Sequence, residues 1–420
     1  MDQIVFRDAT VVDASDPEPR EGCDVLVEGE RIREVSDRPI ASSGAMEFDV
    51  GGRTLMPGLI DCHCHVILSE MDLSCLEAKP ATLMTAEAAR IMRQMLDRGF
   101  TTIRDAAGAD WGLKKAVADG LLAGPRMFIS GRALSQTGGH GDFRRRTQAT
   151  VEPCACANAL VYNTTIADGV PEVRKAAREE LRKGADQIKV MVSGGVASPN
   201  DPLDNTQYSA EELRAIVEEA ESWHTYVLVH AYTAEAVKHA VNCGVRSVEH
   251  GNLVDAESAA MMAERGVFMV PTLATYDAMD RRGRELGLPE VSMQKLKSVL
   301  DAGLRSIEIC KQAGVRMGFG TDLLGATQED QSREFLVRSE VLTPHEIITA
   351  ATATNASILR RDGELGVITE GALADLLVVD GNPLEDLGLF QDQGAHLSVI
   401  MQGGQFHKNR LSVYESRMAV

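Results

Sequence analysis

The chain has 420 residues, 44% hydrophobic and 25% charged, with 62 acidic against 43 basic side chains and a net charge of −19. That length exceeds a usual single core and predicts either a large barrel or two domains, in an ordinary globular composition. The charge weighs against nonspecific binding to nucleic acid or anionic membrane, and no run is long and apolar enough to span a bilayer. The acidity is spread along the sequence, which reads as a solvated surface.

The N-terminus, Met1 to Asp8, lacks the basic start and apolar run of a secretory signal, so a cytoplasmic location is expected. Next come short β-prone runs, Ile4–Phe6, Ala9–Val12 and Asp24–Glu28, punctuated by turn residues such as Gly29. Matching runs, Ala374–Val379 and Leu397–Met401, close the chain. Neither end has strands enough for a sheet with a buried face, so the two ends are expected to pair into one small β-sandwich.

Between them β-prone and helical patterns alternate. The strand candidates in chain order are Leu55–Val66, Thr101–Asp105, Met127–Gly131, Gln187–Ser193, Tyr226–Ala231, Arg246–His250, Phe268–Thr272 and Arg316–Thr321. Helices are predicted between them, as at Ala81–Arg98, Val170–Lys183, Ser209–Trp223 and Ala234–Cys243. In Ser209–Trp223, Leu213, Ile216, Val217 and Ala220 recur at helical spacing, and Ser209 with Glu212 makes a capping-box pattern. About eight strand–helix alternations are the rhythm of a (β/α)8 TIM barrel. A doubly wound open sheet lacks support, because no glycine-rich fingerprint opens an early helix. The resulting division is an α/β chain with a barrel over residues 57–362 and a sandwich from residues 1–56 and 363–420.

In such a barrel chemistry gathers where strands end. Those positions hold His63 and His65, Lys189, His230, His250 and Asp322, with His140 beyond the third strand. His63 and His65 are one residue apart and share a strand face, which is half a metal site, while Cys64 faces away and is not counted as a ligand. His224, His239, His345, His396 and His407 fall in helices or terminal strands and read as packing or solvent-facing residues. Lys189 is the anomaly, since a cation beside metal ligands is electrostatically wrong. Burial beside divalent metal favours its neutral amine, which can add carbon dioxide to become a bridging carbamate. The competing reading is an ammonium paired with Asp322 or snorkelling outward.

The segments Pro57-Gly-Leu-Ile-Asp-Cys-His-Cys-His65, Lys189, Val229-His-Ala231, Glu249-His-Gly251 and Gly320-Thr-Asp322 resemble the metal-dependent amidohydrolase superfamily, in its binuclear, carboxylated-lysine subtype. The stretches Ser135–Asp142, Ser193–Pro199, Val270–Thr272 and Gly318–Gly325 are similar to its prolidase-like branch, which contains Xaa-Pro dipeptidases, Xaa-Arg carboxypeptidases and relatives of ochratoxinase. The resemblance implies that His63, His65 and Asp322 hold one divalent ion and that His230 and His250 hold a second, with zinc as the expected metal. Carbamylated Lys189 and a hydroxide would bridge the pair.

The expected reaction is attack of that hydroxide on an amide carbonyl, with Asp322 taking the nucleophile's proton and passing it to the leaving nitrogen. His140 is the candidate second polariser of the carbonyl. Tyr232, two residues after His230, is the candidate for the substrate's terminal carboxylate, with packing as its other reading. Arg144, Arg145 and Arg146 offer another anchor, although an exposed charge run is the default. The expected substrate is a small dipeptide, Xaa-Pro first, with basic or aromatic leaving residues, N-acyl amino acids and ochratoxin-type amides as the neighbouring choice. Cyclic amides and a metal-free scaffold stand further off. Self-association follows from the resemblance alone. Cys154-Ala155-Cys156 reads as reduced thiols, with metal or redox chemistry as the lesser reading, and 142–168 as a lid or pocket wall.

Overall fold

The computed structural model describes residues 3–13, 18–41, 44–73, 76, 79–144, 163–198, 201–288 and 290–413. Arg145, Arg146, Cys154, Cys156, Pro199 and most of the segment 142–168 lie outside the described residues. The chain divides into two compact units, one of residues 1–61, 93–102 and 342–420, the other of residues 62–92 and 103–341.

In the first unit, strands from both ends join one eight-stranded sheet. Its hydrogen-bonding order is Gln405–Asn409, Leu397–Gln402, Leu376–Val379, Thr54–Pro57, Gln3–Val11, Arg20–Glu28 and Arg31–Ser36, with Met46–Asp49 also pairing on Gln3–Val11. Alternation of apolar residues gives the sheet its buried face: Phe6, Val11, Val25, Val27, Leu55, Leu376, Val378, Val399 and Met401 form one cluster. Phe406, on the strand at one edge, reaches within 6.3 Å of Phe6 and 5.3 Å of Phe48, ring centre to ring centre. The sheet therefore curls, because the Phe406 and Phe6 strands are separated by three others.

The expected strand Leu55–Val66 is two strands, Thr54–Pro57 and Leu59–Cys64. The chain changes partners at Gly58. Its amide bonds to Asp375 at 2.8 Å, whereas the amide of Leu59 bonds to Gly99 at 3.0 Å. A Cβ at position 58 would lie 2.1 Å from the Thr101 hydroxyl, so only glycine fits this crossing.

The second unit is α/β. Its six-stranded sheet runs Thr164–Ile166, Ala133–Ser135, Ile188–Met191, Val227–Thr233, Ser247–Leu253 and Phe268–Val270 in spatial order. Every neighbouring pair is parallel. Helices Val170–Arg182, Ala210–Ser222, Ala234–Asn242 and Ala256–Arg265 follow in alternation. Ser209 caps its helix as the pattern predicted, its hydroxyl accepting from the Glu212 amide while the Glu212 carboxylate accepts from the Ser209 amide at 2.8 Å.

Leu59–Cys64, Phe100–Asp105 and Arg126–Ile129 make a further three-stranded sheet. The expected strand Arg316–Thr321 is reduced to a single bridge between Met317 and Met269. Its backbone still hydrogen-bonds on both sides: Gly318 donates to Met269 at 2.8 Å, and Cys62 donates to Phe319 at 2.8 Å. Glu290–Ala313, a 24-residue helix that the sequence reading did not single out, precedes it. No helix among the described residues is long and apolar enough to cross a membrane.

Candidate metal centre

The strand ends of the second unit bring the expected donors together. One nitrogen or oxygen from each of His63, His250 and Asp322 lies within 4.8 Å of the others. His65 Nε2 is 3.0 Å and His63 Nε2 3.4 Å from the same Asp322 oxygen. The ring of His250 is centred 4.8 Å from that of His63 and 4.6 Å from that of His230. Lys189 is 2% exposed on Ile188–Met191, and its charge is felt by both His230 and His250.

Acceptor-only partners fix three of the ring tautomers. His63 donates from Nδ1 to the Glu249 carboxylate at 2.8 Å, and His65 from Nδ1 to the Ala107 carbonyl at 2.9 Å. His230 donates from Nε2 to the Gly194 carbonyl at 3.1 Å. The second nitrogens of His63 and His65 both face the Asp322 carboxylate, and the second nitrogen of His230 is its Nδ1; these are the positions from which the rings would ligate a metal once unprotonated there. His250 Nδ1 meets the Thr272 hydroxyl at 2.8 Å.

Glu249, Arg104 and Thr272 carry this arrangement, and the sequence reading gave none of them a role. Arg104 is wholly buried and donates to both oxygens of Glu249, at 2.8 and 2.9 Å, and to the Cys62 carbonyl at 2.6 Å. The Ser247 hydroxyl adds a bond to Glu249 at 2.6 Å. Strict strand alternation would send Glu249 and His250 to opposite faces. His250 instead has φ 73°, in the left-handed region, and this break lets both side chains approach His63. Asp322, at φ 52°, shares that uncommon conformation. Such backbone costs of order 1–3 kcal/mol per residue and persists where surrounding contacts over-determine it, commonly at functional sites.

The electrostatics suit a cation. Burial drives the His230 and His250 rings well below the ordinary imidazole range, so both are neutral and able to ligate. Burial also brings the Lys189 amine down to about 8, with Arg104 adding to the effect and Glu249 and Asp322 opposing it. Burial alone would raise the Glu249 carboxyl, but Arg104 and His63 hold it at about 2. Asp322 is likewise kept well below the usual carboxylate range, against burial, by His63 and His65. Four imidazoles and a carboxylate, with an amine in neutralising range, form a nitrogen and oxygen donor set of the kind that divalent zinc takes. The residues present fit a metal.

His140 is buried against this cluster, its ring stacked on that of His230 at 4.1 Å. Its Nδ1 meets the Ser198 hydroxyl at 2.7 Å and lies 3.6 Å from Asp201. Tyr232 is buried, 4.8 Å from the His230 ring and 5.3 Å from the His250 ring, and its hydroxyl accepts from Tyr276 at 2.9 Å. Arg144 does not stand free as an anchor, since its guanidinium is engaged by Asp142, with Nε at 2.6 Å from the carboxylate. Cys64 points to the Arg104 carbonyl, away from the donors.

One cavity opens over the centre. Asp322, His65, His230, His140 and Tyr232 face it, and Leu68, Phe143, Met191, Val196, Met279 and Leu324 supply apolar wall. With that geometry in place, comparison with known proteins decides the family. The amidohydrolase family model matches residues 54–405.

The chain belongs to the amidohydrolase family.

Ochratoxinase of Aspergillus niger is 35% identical over 368 residues, covering 84% of this chain and 75% of the relative. The crystal structure of a prolidase complexed with N-methylphosphonate-L-proline is 51% identical, with a TM-score of 0.94, over 97% of this chain and 100% of that one. A Xaa-Pro dipeptidase structure with methionine bound in its active site is 28% identical, with a TM-score of 0.86, over 97% and 100%. As a member of the prolidase-like branch of its family, this amidohydrolase is a hydrolase of amide bonds acting on small molecules, with a candidate metal site.

Proposed function

We propose that this amidohydrolase releases the C-terminal residue of dipeptides, with Xaa-Pro as the preferred class. The observation that carries this reading is the composition of the cavity: metal-type donors at its base, apolar wall above, and Asp322 as the sole carboxylate among its described lining residues. A basic leaving residue would bury its charge there without a partner, whereas a pyrrolidine ring would bury apolar surface at little cost. The likeness to a prolidase holding a proline phosphonate supports the same class.

In this reading the second unit closes as a (β/α)8 barrel, with segment 316–322 hydrogen-bonding between Phe268–Val270 and Leu59–Cys64, and the curled terminal sheet is the sandwich. His63, His65 and Asp322 would hold one zinc ion and His230 and His250 the other, with Lys189, as its carbamate, adding a ligand to the pair. Burial supports that last role, because a lysine amine brought down to about 8 is neutral often enough to add carbon dioxide with loss of a proton. When bound, the two ions supply a water of lowered pKa and polarise the scissile carbonyl.

The chain's own groups do the rest. Asp322 accepts the nucleophile's proton and returns it to the departing nitrogen, which leaves poorly unless protonated. His140 donates from Nδ1 to the Ser198 hydroxyl, whose own proton goes to Asp201, so Nε2 donates to the carbonyl oxygen as it gains charge when the ring is an imidazolium balanced by Asp201 at 3.6 Å. Tyr232 offers its hydroxyl to the substrate carboxylate, with Tyr276 holding that hydroxyl in place. Glu249 and Arg104 keep His63 in the tautomer that ligates. A cytoplasmic, self-associating enzyme is the setting in which we place this chemistry.

The test is a screen of zinc-loaded protein against dipeptides varied at the C-terminal residue, with N-acyl amino acids, an ochratoxin-type amide and hydantoins alongside. Selective release of proline is the expected result. Preferential release of arginine or lysine would overturn the reading of the cavity, and preferential hydrolysis of the aromatic amide would move the function toward that of the Aspergillus relative.

A further inference from the structure

The long helix Glu290–Ala313 sends one side chain into the loop beside His140. Lys295, nearly buried, donates from Nζ to three backbone carbonyls: Gly195 at 2.9 Å, Ser198 at 2.7 Å and Asp201 at 2.6 Å. An ammonium has three N–H donors, and each meets one carbonyl of a short stretch of chain about 100 residues away in sequence. The Asp201 carboxylate, 3.8 Å from Nζ, balances the charge.

The stretch pinned in this way is the one that sets the His140 ring. The Ser198 hydroxyl contacts His140 Nδ1 at 2.7 Å and is itself held by the Asp201 carboxylate, which also accepts from the Gly195 amide at 3.1 Å. Gly195 lies against the face of the ring, where a Cβ would come within 2.0 Å of His140 Cε1. Behind the ring sits His230. The side chain of His140 is therefore confined on one face by Gly195, on the other by His230, and at Nδ1 by Ser198. Two of those three confining elements hang on carbonyls bonded to Lys295.

We propose that Lys295 is a positioning residue for the hydrolytic reaction, acting through Gly195, Ser198 and Asp201 to aim His140 at the substrate carbonyl. This rests on the role given to His140 above. Displacing a group that must meet a developing charge by about 1 Å costs up to about 100-fold in rate. Loss of the tripod is accordingly expected to lower kcat by about tenfold or more while KM for the same substrate stays within about threefold.

The test is a double-mutant cycle of Lys295→Met and His140→Ala in the full-length, zinc-loaded protein, with bound metal measured for each variant. If Lys295 acts through His140, Lys295→Met lowers kcat in the parent and changes it by less than about twofold once His140 is gone. An unchanged kcat in the single variant, equal losses in both backgrounds, or loss of bound metal that accounts for the rate would each overturn the proposal. The last outcome is a real alternative, since Gly194 on the same loop accepts from His230. Should Lys295→Met fail to fold, Lys295→Gln, which keeps a donor at that position, carries the same cycle. A crystal structure of the variant reads the His140–Ser198 bond without any substrate. A parent inactive on every amide would sink the proposed function, whereas an undisturbed His140 ring in the variant would sink this inference.

Discussion

Replacing Glu249 by Gln tests the electrostatic support of the centre most directly. Glu249 is fully buried and accepts bonds from Arg104 through both oxygens, from Ser247 and from His63. An amide of the same shape presents a donor where one of those donors now points, and it leaves the buried Arg104 charge without its counter-ion. Breaking a buried pair from one side costs about 3–5 kcal/mol, because the remaining ion stays desolvated. At roughly 2 °C per kcal/mol for a unit of this size, the melting temperature should fall by about 6–10 °C.

The same substitution frees the His63 tautomer, and loss of such an outer partner typically weakens metal affinity by about 10–100-fold. Thermal melts of the metal-free protein and competition with a chelator measure the two effects separately. Removing both charges with Arg104→Met and Glu249→Leu should recover part of the lost stability but none of the lost affinity, since the desolvation penalty goes while His63 stays unsupported. A Glu249→Gln protein with unchanged melting temperature and unchanged metal affinity would refute the reasoning.

Lys189→Met should lower bound metal below two ions per chain and abolish measurable turnover, as read by elemental analysis and a proline-release assay; full metal occupancy in this variant would remove Lys189 from the ligand set. Tyr232→Phe should raise KM for free dipeptides by about tenfold, the worth of roughly one charge-assisted hydrogen bond, and leave C-terminally amidated analogues unaffected; equal effects on both would return Tyr232 to a packing role. In the metal-free protein, burial keeps His230 and His250 neutral in the folded state. The unfolded chain binds protons there as pH falls through about 6.5, so stability should drop on acidification by up to about 1.4 kcal/mol per pH unit for each ring. His65 works in the opposite direction, because Asp322 raises it against the lowering effect of burial, and the net effect is correspondingly smaller. Melting temperatures in chelator between pH 7.5 and 5.5 give the sign, and a rising profile would contradict it.

Residue type and spacing along single strands made the donors legible. His63 and His65 declare themselves by period-two alternation, and His230, His250 and Asp322 by their place at the ends of β-prone runs. The α/β alternation and the pairing of the chain ends were likewise written in local apolar patterns, as was the Ser209 cap. Alternation could not foresee its own failure. It offered Leu55–Val66 as one strand, because the exchange of partners at Gly58, where Thr101 leaves room for glycine alone, involves residues more than forty positions further along the chain. It also hid Glu249, whose side chain reaches His63 beside that of His250 only because the backbone turns left-handed between them. Arg144 read as part of an exposed charge run, or as an anchor for the substrate carboxylate, whereas the fold sets its guanidinium on Asp142. Lys295 carried no signal at all: an exposed-looking lysine on an amphipathic helix acquires its three carbonyl partners solely from the loop that the tertiary structure lays against it. Sequence thus determined which chemistry the chain can hold, since ligand identity is a property of single side chains. Only the folded molecule decided how those side chains are oriented and charged, since tautomer, desolvation and aim depend on partners distant along the chain.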